Sequence, residues 1–480
     1  MKIDYQIKDT NKNSYLTLPG ILYSKQMPTP VKAPKLIIYN DGLAKLLGIN
    51  DYINSSNAAS ILAGNTMLEE SVPIAQSYAG HQFGHFTILG DGRAILIGEH
   101  ITADLERIDI QLKGSGITPY SRRGDGRATL SSMLREYIIS EAMAALHVKT
   151  TRSLAVVATG ERVIREQIQD GAVLTRLSKG HIRVGTFQFA ALKDTETVKA
   201  LADYTYKRFY PEINSTNPYI TLLDKVVDAQ AELIAKWQHI GFIHGVMNTD
   251  NVSIAGETID YGPCAFMDTY HPNTVFSSID LQGRYDYKNQ PVIAQWNLAR
   301  FAETLLPLLH EDQDKAIKIA ESSIEYFTEL YEAYWLTGMR KKIGLFTEEP
   351  TDRILIEELL NHMASEKLDF TNTFINLMTP DYKSQLSTID EWLNKWHDRL
   401  NRQLESFEES VDLMKSVNPY VIPRNHQVES ALEDAVRGDM TTFHSLLKVL
   451  KSPFEHDLSY KQYTLPPGPS KEVYKTYCGT

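Results

Sequence analysis

Apolar and polar residues alternate along ERIDIQLKG, with Ile108, Ile110 and Leu112 opposed to Asp109, Gln111 and Lys113. That period of two predicts a half-buried strand that ends in a lysine. Ahead of it, FTILGDGRAILIGE places two apolar runs about a Gly-Asp-Gly turn and predicts a hairpin. A helix is predicted over 129–146, where Leu130, Met133, Leu134, Tyr137 and Ile138 recur at helical spacing. Residues 151–190 read as strand again, through RSLAVVAT and GAVLTRLS. From about 195 onward the helical period takes over. The stretch 219–239 carries an apolar face through Leu222, Val226, Leu233 and Trp237, and further helices fill 291–310, 313–340 and 352–367, with others to about 450. Between these, VSIAGETIDYG reads as two short strands around an Ala-Gly-Glu turn.

The two ends differ from this middle. Residues 1–75 read as an irregular, proline-punctuated arm with a short helical stretch near 41–48, and 451–480 as an extended tail. The predicted organisation is an arm (1–75), a sheet-rich lobe (76–195), a helical lobe (196–450) and a tail (451–480). A mixed sheet lobe followed by a helical lobe is an α+β order, and it is the order of a two-lobed protein-kinase-like fold.

Composition narrows the function. Among 480 residues, 42% hydrophobic and 23% charged content is that of a globular chain with a large core. A net charge of −11 argues against a general nucleic-acid binder. The start of the chain is polar, unlike a signal peptide, and no run of about 18 apolar residues predicts a membrane span. Cys264 and Cys478 are too few for a disulfide framework or a four-Cys zinc site, so a cytoplasmic enzyme is the expectation.

The stretch HGVMNTDN, His244 to Asn251, has the length and ends of a kinase catalytic loop, H-R-D-x-x-x-x-N. Val246 stands where a kinase has its aspartate and cannot accept a proton. The loop is therefore a dead kinase, a chance match, or an enzyme whose base has moved to Asp250. Taken singly, Lys113 reads as a surface strand lysine, Glu136 as a solvated helix residue, and Asp250, Asn251 and Asp260 as turn formers. Their order points elsewhere: a strand lysine, a carboxylate in the next helix to pair with it, a loop asparagine, then DYG at 260–262. That is the kinase order, with Asn251 and Asp260 as oxygen ligands suited to Mg²⁺ or Mn²⁺. Arginines are over-supplied for a kinase: Arg93, Arg122, Arg123, Arg127, Arg176 and Arg183 fall at turns and strand ends, which suggests a grip on polyphosphate. If they hold the β- and γ-phosphates inside, the α-phosphate faces outward and a nucleotide monophosphate is transferred.

The motifs YAGHQFG (78–84), LGDGR (89–93), LKGSGITPYSRRGDGRA (112–128), HGVMNTDN (244–251), DYGP (260–263) and SVNP (416–419) closely resemble the selenoprotein O family of kinase-like protein nucleotidyltransferases. The resemblance implies binding of ATP in an inverted orientation and transfer of AMP, or in some members UMP from UTP, to Ser, Thr or Tyr hydroxyls of proteins. It further implies that Gly90, Gly92, Arg93, Lys113, Asp125, Gly126, Arg176 and Arg183 contact the nucleotide, that Asn251 and Asp260 hold the metal, and that Asp250 accepts the proton. Near-terminal selenocysteine in some family members marks Cys478 as a redox handle; Cys264, at a position where family members differ, is its candidate partner on this sequence alone.

Rival readings are weaker. His81 and His85 have a metal-binding spacing, but Gly80 and Gly84 argue against the helix it needs. GSGITP has Pro119 where a dinucleotide loop needs its third glycine. A non-catalytic, nucleotide-binding pseudokinase scaffold is the alternative that Val246 supports.

Overall fold

The strand that ends in Lys113 lies in the middle of a sheet and is buried on both faces, not one. The computed structural model of the chain describes residues 13–49, 57–69 and 71–468. Its main sheet has nine strands: β1 (Tyr23–Lys25), β2 (Lys35–Tyr39), β3 (Ile74–Gln82), β4 (His85–Gly90), β5 (Ala94–Ile101), β6 (Arg107–Lys113), β7 (Ala128–Thr129), β8 (Arg152–Ile164) and β9 (Ile168–Ser178). They run in the order β1-β3-β5-β6-β9-β8-β2, with β4 on β3 and β7 on β9. One face of β6 sends Ile108, Ile110 and Leu112 into an apolar layer shared with Ile95, Val173 and Leu177. The polar face is buried because each of its residues has a partner: Asp109 with Arg208, Gln111 with Arg176, Lys113 with Glu136. Buried polar groups persist only when paired in this way.

Three local expectations are corrected. The runs around Gly90-Asp91-Gly92 do not pair with each other: β4 lies on β3 from Ser77↔Gly90 to Gln82↔His85, and β5 lies on β6. Asp91 explains this, because its buried carboxylate accepts from the Gln76 N–H at 3.1 Å and Gln111 Nε2 at 3.3 Å and folds the segment inward. Residues 184–190 are helical, within α4 (Val184–Ala191) below, and Val184 through Ala190 are all buried, so no period marks the helix in sequence. VSIAGETIDYG forms no hairpin, since Ser253 bridges to Arg183 and Thr258 to Thr150.

The helices are α1 (Asp41–Leu47), α2 (Ala58–Leu62), α3 (Leu130–Ala145), α4 (Val184–Ala191), α5 (Thr195–Phe209), α6 (Pro218–His239), α7 (Gln290–Leu309), α8 (Gln313–Lys342) and α9 (Asp352–Ser365). Seven more follow: α10 (Phe370–Asn376), α11 (Tyr382–Gln385), α12 (Asp390–Leu400), α13 (Phe407–Val417), α14 (Asn425–Val436), α15 (Thr441–Leu450) and α16 (Lys461–Thr464). The last is a turn of helix in a stretch expected to be extended. Thr129 caps α3 by accepting from the Ser132 N–H, and Asn217 caps α6 ahead of Pro218. Both helices start where side-chain oxygens satisfy amides that the helix leaves unpaired. Two short strands, β10 (Phe242–Ile243) and β11 (Ala265–Phe266), pair antiparallel and bracket the HGVMNTDN and DYG segments. Among the described residues, no helix is long and apolar enough to cross a membrane.

Candidate functional site

Sheet and helical lobe meet at a cavity of about 290 Å³. Of the residues singled out from sequence, Gly90, Gly92, Arg93, Lys113, Asp125, Gly126, Arg176, Arg183, Asp250 and Asp260 line it. Glu136 stands behind Lys113, and Asn251 lies off the cavity wall. Arg127, one of the arginines expected to grip polyphosphate, lines it too, whereas Arg122 and Arg123 do not; Tyr78, Gln82, Asp91 and Arg165 also line it without having been expected there. Asp91 lay within a quoted motif; Arg165, in the β8–β9 turn, carried no signal at all.

The lysine is held from two sides. Lys113 Nζ donates to Glu136 Oε2 at 2.6 Å and is ion-paired with Asp260. Arg176 Nη1 reaches Glu136 Oε1 at 3.2 Å and Asp260 Oδ1 at 3.5 Å. Burial alone would raise the Asp260 carboxyl, but Lys113, then Arg176 and Arg183, hold it well below the usual carboxylate range. Asp260 also has a φ of +72°, a left-handed backbone that Asp tolerates better than most residues. The Arg183 guanidinium sits over Tyr78, its Cζ 4.4 Å from the ring centre, and donates from Nη1 to the Asp250 carbonyl at 2.9 Å. Asp125 is held by Arg165 through two hydrogen bonds of 2.9 Å, which lower its carboxyl.

The catalytic-type loop is fixed from several elements. His244 stacks on Trp237, donates from Nε2 to the Ile259 carbonyl at 2.9 Å and accepts on Nδ1 from the Val246 N–H at 3.4 Å. That bond sets the loop beside the residue preceding Asp260. Asn248 Oδ1 accepts from the Phe83 N–H at 3.0 Å and the Tyr285 hydroxyl at 2.7 Å. Thr249 Oγ1 accepts from the His81 N–H and donates to Gln188, both at 2.7 Å. Strand β3 thus lies directly on the loop. A Cβ at Gly80 would sit 2.2 Å from Asp250 Oδ1, so only glycine permits this approach. Gly126 serves a second close approach: its φ is +67°, and a Cβ would fall 2.1 Å from the Gly116 carbonyl carbon.

Asp250 is 6% exposed and its Oδ1 has no hydrogen-bond partner. Gln82 Nε2 lies 3.5 Å from Oδ2, too far for much stabilisation. Burial pushes its carboxyl up to about 6, against the pull of Arg183. A poorly solvated carboxylate of that kind is basic enough to take a proton from a hydroxyl. Val246 presents no such group.

Among the described residues, no three His, Cys, Asp or Glu side chains are placed to hold a metal by themselves. Asp260 and Asn251 supply two oxygens, and Asn251 Nδ2 donates to the Val246 carbonyl at 3.1 Å, leaving Oδ1 as the amide's acceptor. Oxygen donors of this kind suit a hard cation that draws its remaining ligands from phosphate and water. Cys264 is fully buried, and Cys478 lies outside the described residues.

A sheet lobe and helical lobe joined over a lysine–glutamate pair, a loop asparagine and a DYG aspartate define a kinase-like transferase. The family model described as protein adenylyltransferase SelO matches residues 8–451, and the chain belongs to that family. It is 56% identical over 476 residues to the protein nucleotidyltransferase YdiU of Alkaliphilus metalliredigens, covering 98% of this chain and 97% of that one. Proteins of the same name from Clostridium beijerinckii (58% over 475 residues; 98% and 97% covered) and Halalkalibacterium halodurans (58% over 476; 97% and 96%) are similarly related.

Proposed function

We infer that the protein transfers AMP from ATP, or UMP from UTP, to Ser, Thr or Tyr hydroxyls of other proteins, with the polyphosphate held inward. The observation that carries this is the charge of one cavity. Arg93, Lys113, Arg127, Arg165, Arg176 and Arg183 line it, against the carboxylates of Asp91, Asp125, Asp250 and Asp260, in a chain of net charge −11. A β,γ-diphosphate held as the leaving group carries more charge than a single transferred phosphoryl group, and a cavity this rich in cations suits it.

In the reaction, Asp250 takes the acceptor hydroxyl's proton as its oxygen bonds to the α-phosphorus. The bond from that phosphorus to the β-bridging oxygen breaks, and pyrophosphate leaves among the arginines. Mg²⁺ or Mn²⁺, held by Asn251 and Asp260 when bound, would neutralise phosphate charge. Lys113 is kept in place by Glu136, so its ammonium stays directed at the cavity. Asp250 answers the objection raised by Val246 and favours the enzyme over a scaffold. A chain with two cysteines, Cys264 of them buried, fits a reducing cytoplasm.

The test is incubation of the protein and a generic acceptor with α-labelled and, separately, γ-labelled ATP or UTP plus Mg²⁺ or Mn²⁺. Label should enter protein from the α-position alone; transfer from the γ-position would make it a kinase.

A further inference from the structure

Arg135 and Glu136 are neighbours on α3 but face opposite ways. Glu136 faces Lys113; Arg135, 8% exposed, faces the C-terminal extension. Its Nη1 donates to Glu429 Oε1 at 2.6 Å, and its Nη2 donates to Asn425 Oδ1 at 2.7 Å and to the Cys264 carbonyl at 2.8 Å. Glu429 and Asn425 belong to α14, and Cys264 follows the DYG segment. Two ring contacts repeat the attachment along α3 and just beyond it: Tyr137 meets Phe443 of α15 at 6.4 Å, and His147 stacks on Phe454 at 5.2 Å. The residue before α14, Arg424, is itself anchored in the helical lobe by Asp369, at 2.8 Å, and by Asp268.

In kinase-like folds, turnover depends on the helix that carries the glutamate being held against the lysine, and that helix is free to swing. Here one arginine ties it both to the segment after DYG and to a helix anchored in the other lobe. We propose that α14 is a built-in brace that holds α3 in the pairing position, with Asn425 and Glu429 acting as positioning residues for nucleotidyl transfer through Arg135 and Glu136. Regulation by swinging α3 is thereby removed from this chain, and the C-terminal extension takes the place of an external activator. The proposal rests on the transfer activity inferred above.

The test uses the full chain with Asn425→Ala and Glu429→Ala combined. Glu429 is 37% exposed, so its loss does not hollow the core. The double variant leaves the buried Arg135 only the Cys264 carbonyl, so it should melt somewhat lower while staying folded at the assay temperature, and lose about tenfold or more in kcat with nucleotide KM within about threefold, as a misplaced reacting group does. Amide hydrogen exchange should speed up across α3 and not in α6 or α7. Glu429→Gln, which keeps an acceptor for Arg135, should recover most of the rate. A double variant with wild-type kcat, or with α3 exchange unchanged, overturns the brace. If the wild type transfers no α-label, the functional reading fails, and faster exchange in α3 of the variant still upholds the brace.

Discussion

Lys113 and Arg176 share Glu136 as well as Asp260: Glu136 accepts the lysine on one oxygen at 2.6 Å and the arginine on the other at 3.2 Å. The Lys113, Arg176 and Glu136 side chains are nearly inaccessible, at 7%, 2% and 2% exposure. Removing the Glu136 charge leaves two buried cations with Asp260 as their remaining carboxylate partner. Breaking a buried pair from one side commonly costs about 3–5 kcal/mol. Glu136→Gln should therefore destabilise the protein by an amount of that order in chemical denaturation, and lower transfer as Lys113 loses its anchor. A variant as stable and as fast as the wild type would show that the shared carboxylate does not hold the site.

Asp250 gives a pH-dependent prediction for the protein free of nucleotide and metal. Its carboxyl titrates at about 6 when folded and near the ordinary 3.8 when unfolded. The native state then binds the extra proton, so stability falls as pH rises from about 4 to about 6 and is flat above. Asp250→Asn removes this loss. The variant should be more stable than the wild type at pH 7.5, by an amount on the order of 3 kcal/mol, and the gain should vanish at pH 4. Its transfer rate should fall about 10²–10⁴-fold with nucleotide binding retained. Thermal melts at the two pH values and a single-turnover assay check both halves.

Gly80→Ala probes the same carboxylate from the opposite strand. The new methyl would lie 2.2 Å from Asp250 Oδ1 and 2.8 Å from its Cγ, so the side chain must move. Displacing a reacting group by about 1 Å costs about 10² in rate. Transfer should drop by that order while nucleotide affinity changes little. Unaltered kcat would mean that Asp250 is not the proton acceptor.

Asp260→Asn keeps the shape and the tolerance for positive φ but removes the charge that faces Lys113 and Arg176. Mn²⁺ affinity in the presence of nucleotide should fall by more than the roughly 10–100-fold that losing a mere outer-shell partner costs. Calorimetric titration with Mn²⁺ measures it directly, and unchanged affinity would move the metal to other residues.

Much of this was legible in the chain. Helices α3, α6, α7, α8 and α9 each show an apolar period over several turns, and caps such as Asn217-Pro218 mark where they begin. Lys113 and Asp260 could be placed together from their order along the chain, and both line the cavity, while Asn251 lies off its wall. What was hidden depends on distant partners. Strands β1 and β2 are too short to carry a period, and pair only with β3 and β8. Helix α4 is buried all round, so its pattern has no contrast. Arg165 reaches the cavity because a long hairpin turns back over it, and no local residue announces that.

Those short strands from the arm have a consequence for how the protein is made. The segment KLIIY leaves the ribosome early, yet its partner residues, Ala155 to Ala158, come more than a hundred residues later. Until then an apolar stretch of high β-propensity waits exposed, the kind that joins other unfinished chains. Lys32, Pro34 and Lys35 stand at its entrance, and charge with proline is what discourages such pairing. Charge and proline at its entrance thus guard KLIIY over the interval before its partner strand β8 has been made.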